Sequence, residues 1–151
     1  MTIAATSPHN AWLVGSTEDT DTLILHWNGT DWSKFASPMV GQREQLEDVT
    51  AVSPDNAWAD GPICTTNGAC PDGAVMVHCN GKAWSSQKLP ATPGLGLFAV
   101  APSSARDPWA FRRTFNGGDT FTAVALRWTG SRWATASPPG WGLMACSRAA
   151  P

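Results

Sequence analysis

A seven-residue pattern that occurs three times constrains this chain more than any other feature. Residues 26–32 read His-Trp-Asn-Gly-Thr-Asp-Trp, and the copies at 78–84 and 127–133 keep the Gly and the final Trp. That final Trp recurs after 52 and then after 49 residues. A period of about 40–50 residues is typical of repeat proteins, in which each copy is one supersecondary unit. We therefore expect a series of similar units.

Each copy is predicted to contain four short strands. In the first two copies, two apolar runs flank a Ser-Pro-x-Asn cluster, at 7–10 and 53–56, which is typical of a tight turn between strands. A third apolar run leads into the repeated pattern, whose Asn-Gly pair favours a type I′ hairpin turn because Gly and Asn accept positive φ. A fourth strand then begins at the final Trp. Four consecutive antiparallel strands with this period are typical of a β-propeller blade.

The predicted fold is all-β, a partial β-propeller with three four-stranded antiparallel blades and the first strand of a fourth. We expect the blades at about 1–42, 43–94 and 95–142, and the opening strand of the fourth at 143–151. Propellers typically close with about 4–8 blades. The chain is thus expected either to be part of a larger propeller, which we favour, or to complete a ring by self-association through its open blade edges.

The repeats resemble the Trp-rich Kelch-like repeats of secreted and cell-surface actinobacterial propeller proteins, which are similar to the central propeller of galactose oxidase. The resemblance covers residues 3–138 and rests on Val-Thr-Ala-Val-Ser-Pro-Asp-Asn-Ala-Trp-Ala at 49–59 and on the pattern at 26–32. It implies a propeller scaffold and an extracellular or cell-surface location, and it implies no particular reaction. Two positions depart from the repeat, since Cys79 replaces a Trp and Arg127 replaces a His.

Charge and hydropathy exclude two classes of partner. The net charge of −2 and the pI near 5.8 give no electrostatic basis for binding nucleic acid or an anionic membrane. No apolar run approaches the roughly 20 residues that span a bilayer, so membrane insertion is not expected. Residues 1–6 lack the basic start and apolar core of a signal peptide, so we expect no export signal in the chain as given.

No arrangement of residues predicts catalysis, so we expect a protein that is not an enzyme and that holds no cofactor or metal. The chain contains neither Gly-x-Ser-x-Gly nor a phosphate-binding Gly loop. It also has no Tyr, which the copper–radical site of galactose oxidase requires. The predicted loops contain several carboxylates, whose default interpretation is a solvated surface. These carboxylates are Glu18, Asp19, Asp21, Glu44, Glu47 and Asp48.

The repeated His is the first candidate metal ligand. His26 and His78 occupy the same strand position in two copies, where two imidazoles could hold a metal. Equivalent positions in neighbouring blades are far apart compared with metal–ligand distances, and Arg127 in the third copy is a poor ligand. A structural hydrogen bond at the end of the strand is therefore the favoured interpretation.

The Cys residues suggest one disulfide. Cys64 and Cys70 bracket an Asn-Gly turn in the longest predicted loop, where they could form a disulfide or half of a metal site. A metal site needs four ligands, and no second Cys/His pair has suitable spacing. The disulfide is favoured, and it implies an oxidising compartment. Cys79 and Cys146 are each expected to be buried thiols.

The long connections of all three repeats are predicted to lie at one end of the strands, because successive turns alternate between the two ends. Binding residues concentrate in loops on a rigid scaffold, so this long-loop end is the predicted ligand face. Most Trp residues recur at fixed positions and are expected to fill the space between blades. The candidate ligand contacts are Arg112, Arg113, Phe115 and Trp141.

The favoured function is a non-catalytic binding module of a secreted or surface protein, with a glycan or a protein as its partner. The first alternative is a fragment of a carbohydrate-active or oxidising enzyme whose catalytic residues lie outside this chain. The second is a structural spacer in a large surface protein. The sequence does not choose between glycan and protein.

Overall fold

The structure is a computed structural model, and it describes residues 1–17, 22–38, 44–64, 74–90, 97–102, 108–115 and 121–136. These residues form β-strands and contain no helix, so none of them forms an apolar helix that could span a membrane. The strands are β1 (Thr2–Ser7), β2 (Asn10–Ser16), β3 (Thr22–Trp27), β4 (Trp32–Phe35), β5 (Asp48–Ser53), β6 (Asn56–Pro62), β7 (Ala74–Cys79), β8 (Trp84–Ser86), β9 (Leu97–Pro102), β10 (Pro108–Phe115), β11 (Phe121–Trp128) and β12 (Trp133–Ala136).

The strands form three separate antiparallel sheets in which strand order follows chain order. Sheet 1 contains β1 to β4, sheet 2 contains β5 to β8 and sheet 3 contains β9 to β12. All neighbouring strands pair antiparallel. The prediction of three four-stranded antiparallel units is confirmed. The predicted opening strand at 143–151 lies outside the described residues.

The hairpin between the third and fourth strands of each sheet is confirmed, but its turn differs from a two-residue type I′ turn. In sheet 1 the turn spans 28–31 between the paired Trp27 and Trp32. The Asn28 Oδ1 accepts hydrogen bonds from the amides of Thr30 and Asp31, at 2.9 Å each. The Gly in the second turn position has a φ of +98°, +84° or +92° in the three sheets. In this turn the Asn side chain holds the backbone, and the Gly accepts the positive φ.

In sheet 3 Thr129 replaces the Asn at the start of this turn. The Arg132 amide donates a hydrogen bond to the Thr129 Oγ1 at 3.3 Å, and the Thr129 hydroxyl donates to the Arg132 carbonyl at 2.9 Å. Although the third repeat has Thr129 in place of Asn, a side-chain oxygen at this position still holds the turn.

Each sheet has two faces, and neighbouring sheets pack face to face. We call the face that packs on the preceding sheet the front face, and the face that packs on the following sheet the back face. Trp12, Val14 and Ile24 on the back face of sheet 1 pack against the front face of sheet 2. Trp58 and Met76 on the back face of sheet 2 pack against the front face of sheet 3. The buried apolar side chains thus lie mainly between sheets.

A pair of Trp residues lies at the centre of each of these interfaces. The first Trp comes from the second strand of one sheet, and the second begins the fourth strand of the next sheet. Trp12 meets Trp84 edge-on with ring centroids 5.2 Å apart, and Trp58 meets Trp133 in the same way at 5.4 Å. All four indoles are buried. Edge-to-face aromatic pairs contribute about 0.5–1.5 kcal/mol beyond the area they bury.

We expect Trp84→Ala to lower the free energy of unfolding by about 3–5 kcal/mol, because it opens a cavity between sheets 1 and 2. Urea unfolding followed by circular dichroism measures this loss. The matched control is Ser86→Ala, on the same strand and exposed, which should change the free energy by less than about 0.5 kcal/mol. Equal effects of the two substitutions would contradict the interface described here.

Candidate functional site

The candidate site is the end of the sheets at which β6 ends and β5, β7 and β9 begin. Most of the long connections at this end lie outside the described residues, as do Trp141 and Cys70. Arg112, Arg113 and Phe115 lie in β10, and their side chains are outside the described part of the chain. These residues therefore stay predicted ligand contacts.

A group of four carboxylates lies at the long-loop end of sheet 2. Asp60, near the end of β6, is directly opposite Asp48, the first residue of β5. Glu47 precedes Asp48, and its amide donates a hydrogen bond to the Asp60 carbonyl at 2.8 Å. Glu44 pairs with Ile63 in an isolated antiparallel bridge. Two of the four acidic residues thus lie in the adjacent strands β5 and β6, and the other two lie just before β5.

Two of these carboxylates are buried. Asp60 is 3% exposed and Glu44 is 5% exposed, whereas Glu47 is exposed and Asp48 is half-buried. The expectation that Glu44 is a solvated loop carboxylate is wrong, because residues 44–47 continue alongside the end of β6 and are covered there. Glu18, Asp19 and Asp21 lie outside the described residues.

Asp60 was missed by the sequence analysis, although the repeat contains the signal that could have found it. Trp12, Trp58 and Trp109 are equivalent, and the residue two positions after each is Val14, Asp60 or Phe111. A carboxyl group therefore occupies a back-face position that is apolar in the other two sheets. Because such positions pack against the next sheet, an Asp there is expected to be buried.

The path of the chain before β5 depends on Gly61. The amide of Gln45 donates to the Pro62 carbonyl at 3.2 Å, so residues 44–47 run antiparallel alongside this part of β6. A Cβ atom on Gly61 would overlap the carbonyl oxygen of Gln45. The absence of a side chain at position 61 therefore lets the backbone of residues 45–47 lie directly against β6.

Burial and neighbouring charge keep Asp60 protonated to unusually high pH. Desolvation by burial, and then the charges of Asp48 and Glu47, raise the pKa of Asp60 from 3.8 to about 7. Its Oδ2 is buried and has no hydrogen-bond partner among the described residues. Near neutral pH, the Asp60 carboxyl is therefore present in both its neutral and its ionised form. A cation arriving beside it would favour ionisation.

The repeated His residues lie near the opposite end and hold the buried Trp of their own sheet. The His26 Nε2 lies 2.8 Å from the Asn10 Nδ2, and the His78 Nε2 donates to the Asn56 Oδ1 at 3.1 Å. His78 stacks on Trp58 with ring centroids 4.0 Å apart. Burial lowers the pKa of both His residues. The structural interpretation of this pair is confirmed.

In sheet 3 Arg127 takes the place of these His residues. Its guanidinium carbon lies 5.7 Å from the centre of the Trp109 ring, so a cation covers the indole where an imidazole covers it in sheets 1 and 2. Among the described residues, no group of three or more His, Cys, Asp or Glu side chains is arranged to hold a metal ion.

Cys64 is disulfide-bonded and buried just after β6. Cys70 lies outside the described residues, so the pairing of these two Cys residues stays a prediction. Cys79 is a free and buried thiol, as expected, and burial raises its pKa. Cys146 lies outside the described residues.

No protein-family model matches the chain, and no curated protein is significantly similar to it. Among solved structures, it is similar to YCF48 in the structure of YCF48 bound to D1 peptide, with a TM-score of 0.59 and 16% sequence identity. The alignment covers 95% of this chain and 41% of the YCF48 chain. YCF48 is a β-propeller, and its likeness together with the three four-stranded sheets shows that this chain has a propeller fold.

We expect Gly61→Ala to lower the free energy of unfolding by more than about 2 kcal/mol, because the new methyl group must displace the backbone of Gln45. The matched control is Gly15→Ala at the equivalent position of sheet 1. There the nearest atoms to the methyl group belong to the exposed Met1, whose side-chain Cγ would lie 2.6 Å away and can move, while its Cα would lie at an ordinary contact distance of 3.4 Å. Chemical unfolding of both variants tests this difference, and similar losses would contradict it.

We expect Asp60→Asn to change the pH dependence of stability. Between the unfolded pKa of 3.8 and the folded pKa of about 7, folded Asp60 keeps a proton that the unfolded chain has released. Its contribution to stability is therefore lost as the pH rises through this window. Between pH 4 and pH 8, the free energy of unfolding of the variant should therefore rise relative to that of the wild type, by up to about 4 kcal/mol.

Thermal unfolding of the wild type and the variant over this pH range measures the effect. Asp55→Asn is the control, since Asp55 is an exposed carboxylate in the β5–β6 turn of the same sheet. Parallel pH profiles for the wild type and Asp60→Asn would show that the Asp60 carboxyl does not carry the raised pKa.

Proposed function

We propose that this chain is a non-catalytic binding module that takes a peptide segment of a protein partner at its long-loop end. The observation that carries the proposal is the propeller likeness, which covers 95% of the chain and relates it to a propeller solved with a bound peptide. A propeller presents its long connections together at one end of rigid sheets, which suits recognition of a partner.

The acidic group on sheet 2 indicates which chemistry this end would favour. Glu47 is exposed and Asp48 is half-buried, so both can meet a partner, and Asp60 behind them has an unpaired buried oxygen among the described residues. A Lys or Arg side chain would pair with Glu47 and Asp48, and its charge would favour the ionised form of Asp60. We therefore propose a peptide segment that contains a basic residue.

The location that we propose is extracellular or at the cell surface, in a protein with Trp-rich Kelch-like repeats. The disulfide bond of Cys64 supports this location, because disulfides persist in oxidising compartments and are rare in the cytosol. The resemblance of the repeats to those of secreted and cell-surface propellers supports it as well.

A random-peptide display library selected on the purified chain tests the function. We expect enrichment of peptides that contain Lys or Arg. The affinity of these peptides should fall about 3- to 10-fold in Glu47→Gln/Asp48→Asn, and it should weaken with added salt, because the pairs are partly exposed. Isothermal titration calorimetry measures both effects.

Asp31→Asn is the matched control, since Asp31 is an exposed carboxylate at the opposite end of sheet 1. Its affinity for the selected peptides should equal that of the wild type. A chain that enriches no peptide but binds a glycan on an array would overturn the proposal in favour of a carbohydrate module. Peptides that bind the double variant as tightly as the wild type would exclude the acidic group as their site.

A further inference from the structure

A β-bulge places two acidic residues opposite one buried carboxyl at the long-loop end of sheet 2. The amide of Glu47 donates to the carbonyl of Asp60 at 2.8 Å, and Asp48 is paired with the same Asp60. Two consecutive residues of one segment therefore oppose one residue of β6, which is the arrangement of a β-bulge. Residues that lie opposite each other in an antiparallel pair share a face, with Cβ atoms about 4.5–5.5 Å apart. The side chains of Asp48 and Asp60 thus lie on one face of sheet 2.

Asp60 is buried, whereas the two residues opposite it are accessible. Asp60 is 3% exposed, Glu47 is exposed and Asp48 is half-buried. The Oδ2 atom of Asp60 has no hydrogen-bond partner among the described residues. A positive charge nearby favours the ionised form of such a carboxyl. The bulge therefore combines two charges that a ligand can reach with a buried group that can hold or release a proton.

Glu47 and Asp48 are the titratable groups opposite Asp60 among the described residues. β5, β7 and β9 pack against β6. On β7, His78 shares the face of Asp60 but lies two residues beyond the position opposite it. In sheet 3, β9 contains no titratable residue, and the side chain of Arg112 in β10 is outside the described part of the chain.

Burial and the two opposing charges hinder the ionisation of Asp60. Burial first, and then the charges of Asp48 and Glu47, raise the pKa of Asp60 to about 7. A basic side chain that pairs with Glu47 and Asp48 would offset their charges within the reach of one cross-strand pair. Once these charges are offset, the ionised form of Asp60 becomes more favourable.

We propose that this group couples ligand binding to proton release: when a Lys or Arg side chain of a peptide pairs with Glu47 and Asp48, the Asp60 carboxyl gives its proton to the solvent. The O–H bond of the carboxyl breaks and its electron pair stays on the carboxylate. By linkage, a ligand whose binding releases a proton binds more tightly as the pH rises and more weakly as it falls. The inference rests on the proposed function, because the ligand is the same basic peptide.

Isothermal titration calorimetry with an acetylated and amidated tri-arginine peptide tests the proposal. Neither the blocked ends nor the guanidinium groups of this peptide titrate between pH 5.5 and pH 8. Its affinity for the wild type should rise about 3- to 10-fold over this range at constant ionic strength. At pH 7 the binding enthalpy should depend on the ionisation enthalpy of the buffer, because the buffer takes up the released proton. Circular dichroism checks that the chain is folded at each pH.

Asp60→Asn removes the proton that the proposal requires. The affinity of this variant for the peptide should be constant over the same range, and its binding enthalpy should not depend on the buffer. His9→Gln is the matched control, since His9 is exposed at the opposite end of sheet 1 and imidazoles in general titrate in this range. It should keep the pH dependence of the wild type.

A constant affinity of the wild type from pH 5.5 to pH 8 would overturn this inference and leave the proposed function intact. A pH dependence that persists unchanged in Asp60→Asn would also overturn it, because another group would then release the proton. Absence of binding at every pH, with peptide up to millimolar concentration, would overturn both the inference and the proposed function.

Discussion

The packing of one Trp between two sheets is the interaction on which the rest of this fold depends. Trp58 illustrates it, because His78 of its own sheet stacks on one part of the indole and Trp133 of the next sheet meets it edge-on. The Trp58 Nε1 also donates to Asn56 at 3.1 Å. A four-stranded sheet cannot bury both faces alone. Each sheet is therefore stable only beside another, and the Trp fixes how the two meet.

The same dependence explains why the substitutions between repeats differ in their consequences. Arg127 replaces a His and still covers an indole, and Thr129 replaces an Asn and still holds its turn. These changes keep the interaction that the position supplies. The Asp at position 60 does not keep such an interaction, because it places an ionisable group where sheets 1 and 3 carry Val14 and Phe111. A buried carboxyl without a full set of partners costs stability, and such costs are often found at binding sites.

Exposure within the repeat depends on the neighbouring sheets. Positions that are equivalent in sequence are buried or exposed according to whether another sheet lies beside them, as Trp32 and Trp84 show. The acidic group at the long-loop end is a different surface from these apolar sheet faces, because its exposed members are charged.

Within the described residues, the sequence by itself determined the three sheets, the strands within them and the places of the turns that join them, because these depend on local patterns and on the repeat. The Ser-Pro and Asn-Gly clusters and the alternation of apolar residues act over a few residues, and the recurrence of Trp every 49 to 52 residues separates one repeat from the next. The structural role of His26 and the buried state of Cys79 followed from the same comparison of repeats.

Only the tertiary structure decided which carboxylates and which of the repeated Trp residues are buried. Glu44 was expected to be solvated, and it is covered because residues 44–47 run alongside the end of β6, where Gly61 leaves room for them. Asp60 acquires its raised pKa from burial and from the charges of Asp48 and Glu47. Asp48 is the first residue of the neighbouring strand β5, and Glu47 precedes it. Such properties arise from groups that meet only when separate segments pack together, so no local pattern contains them.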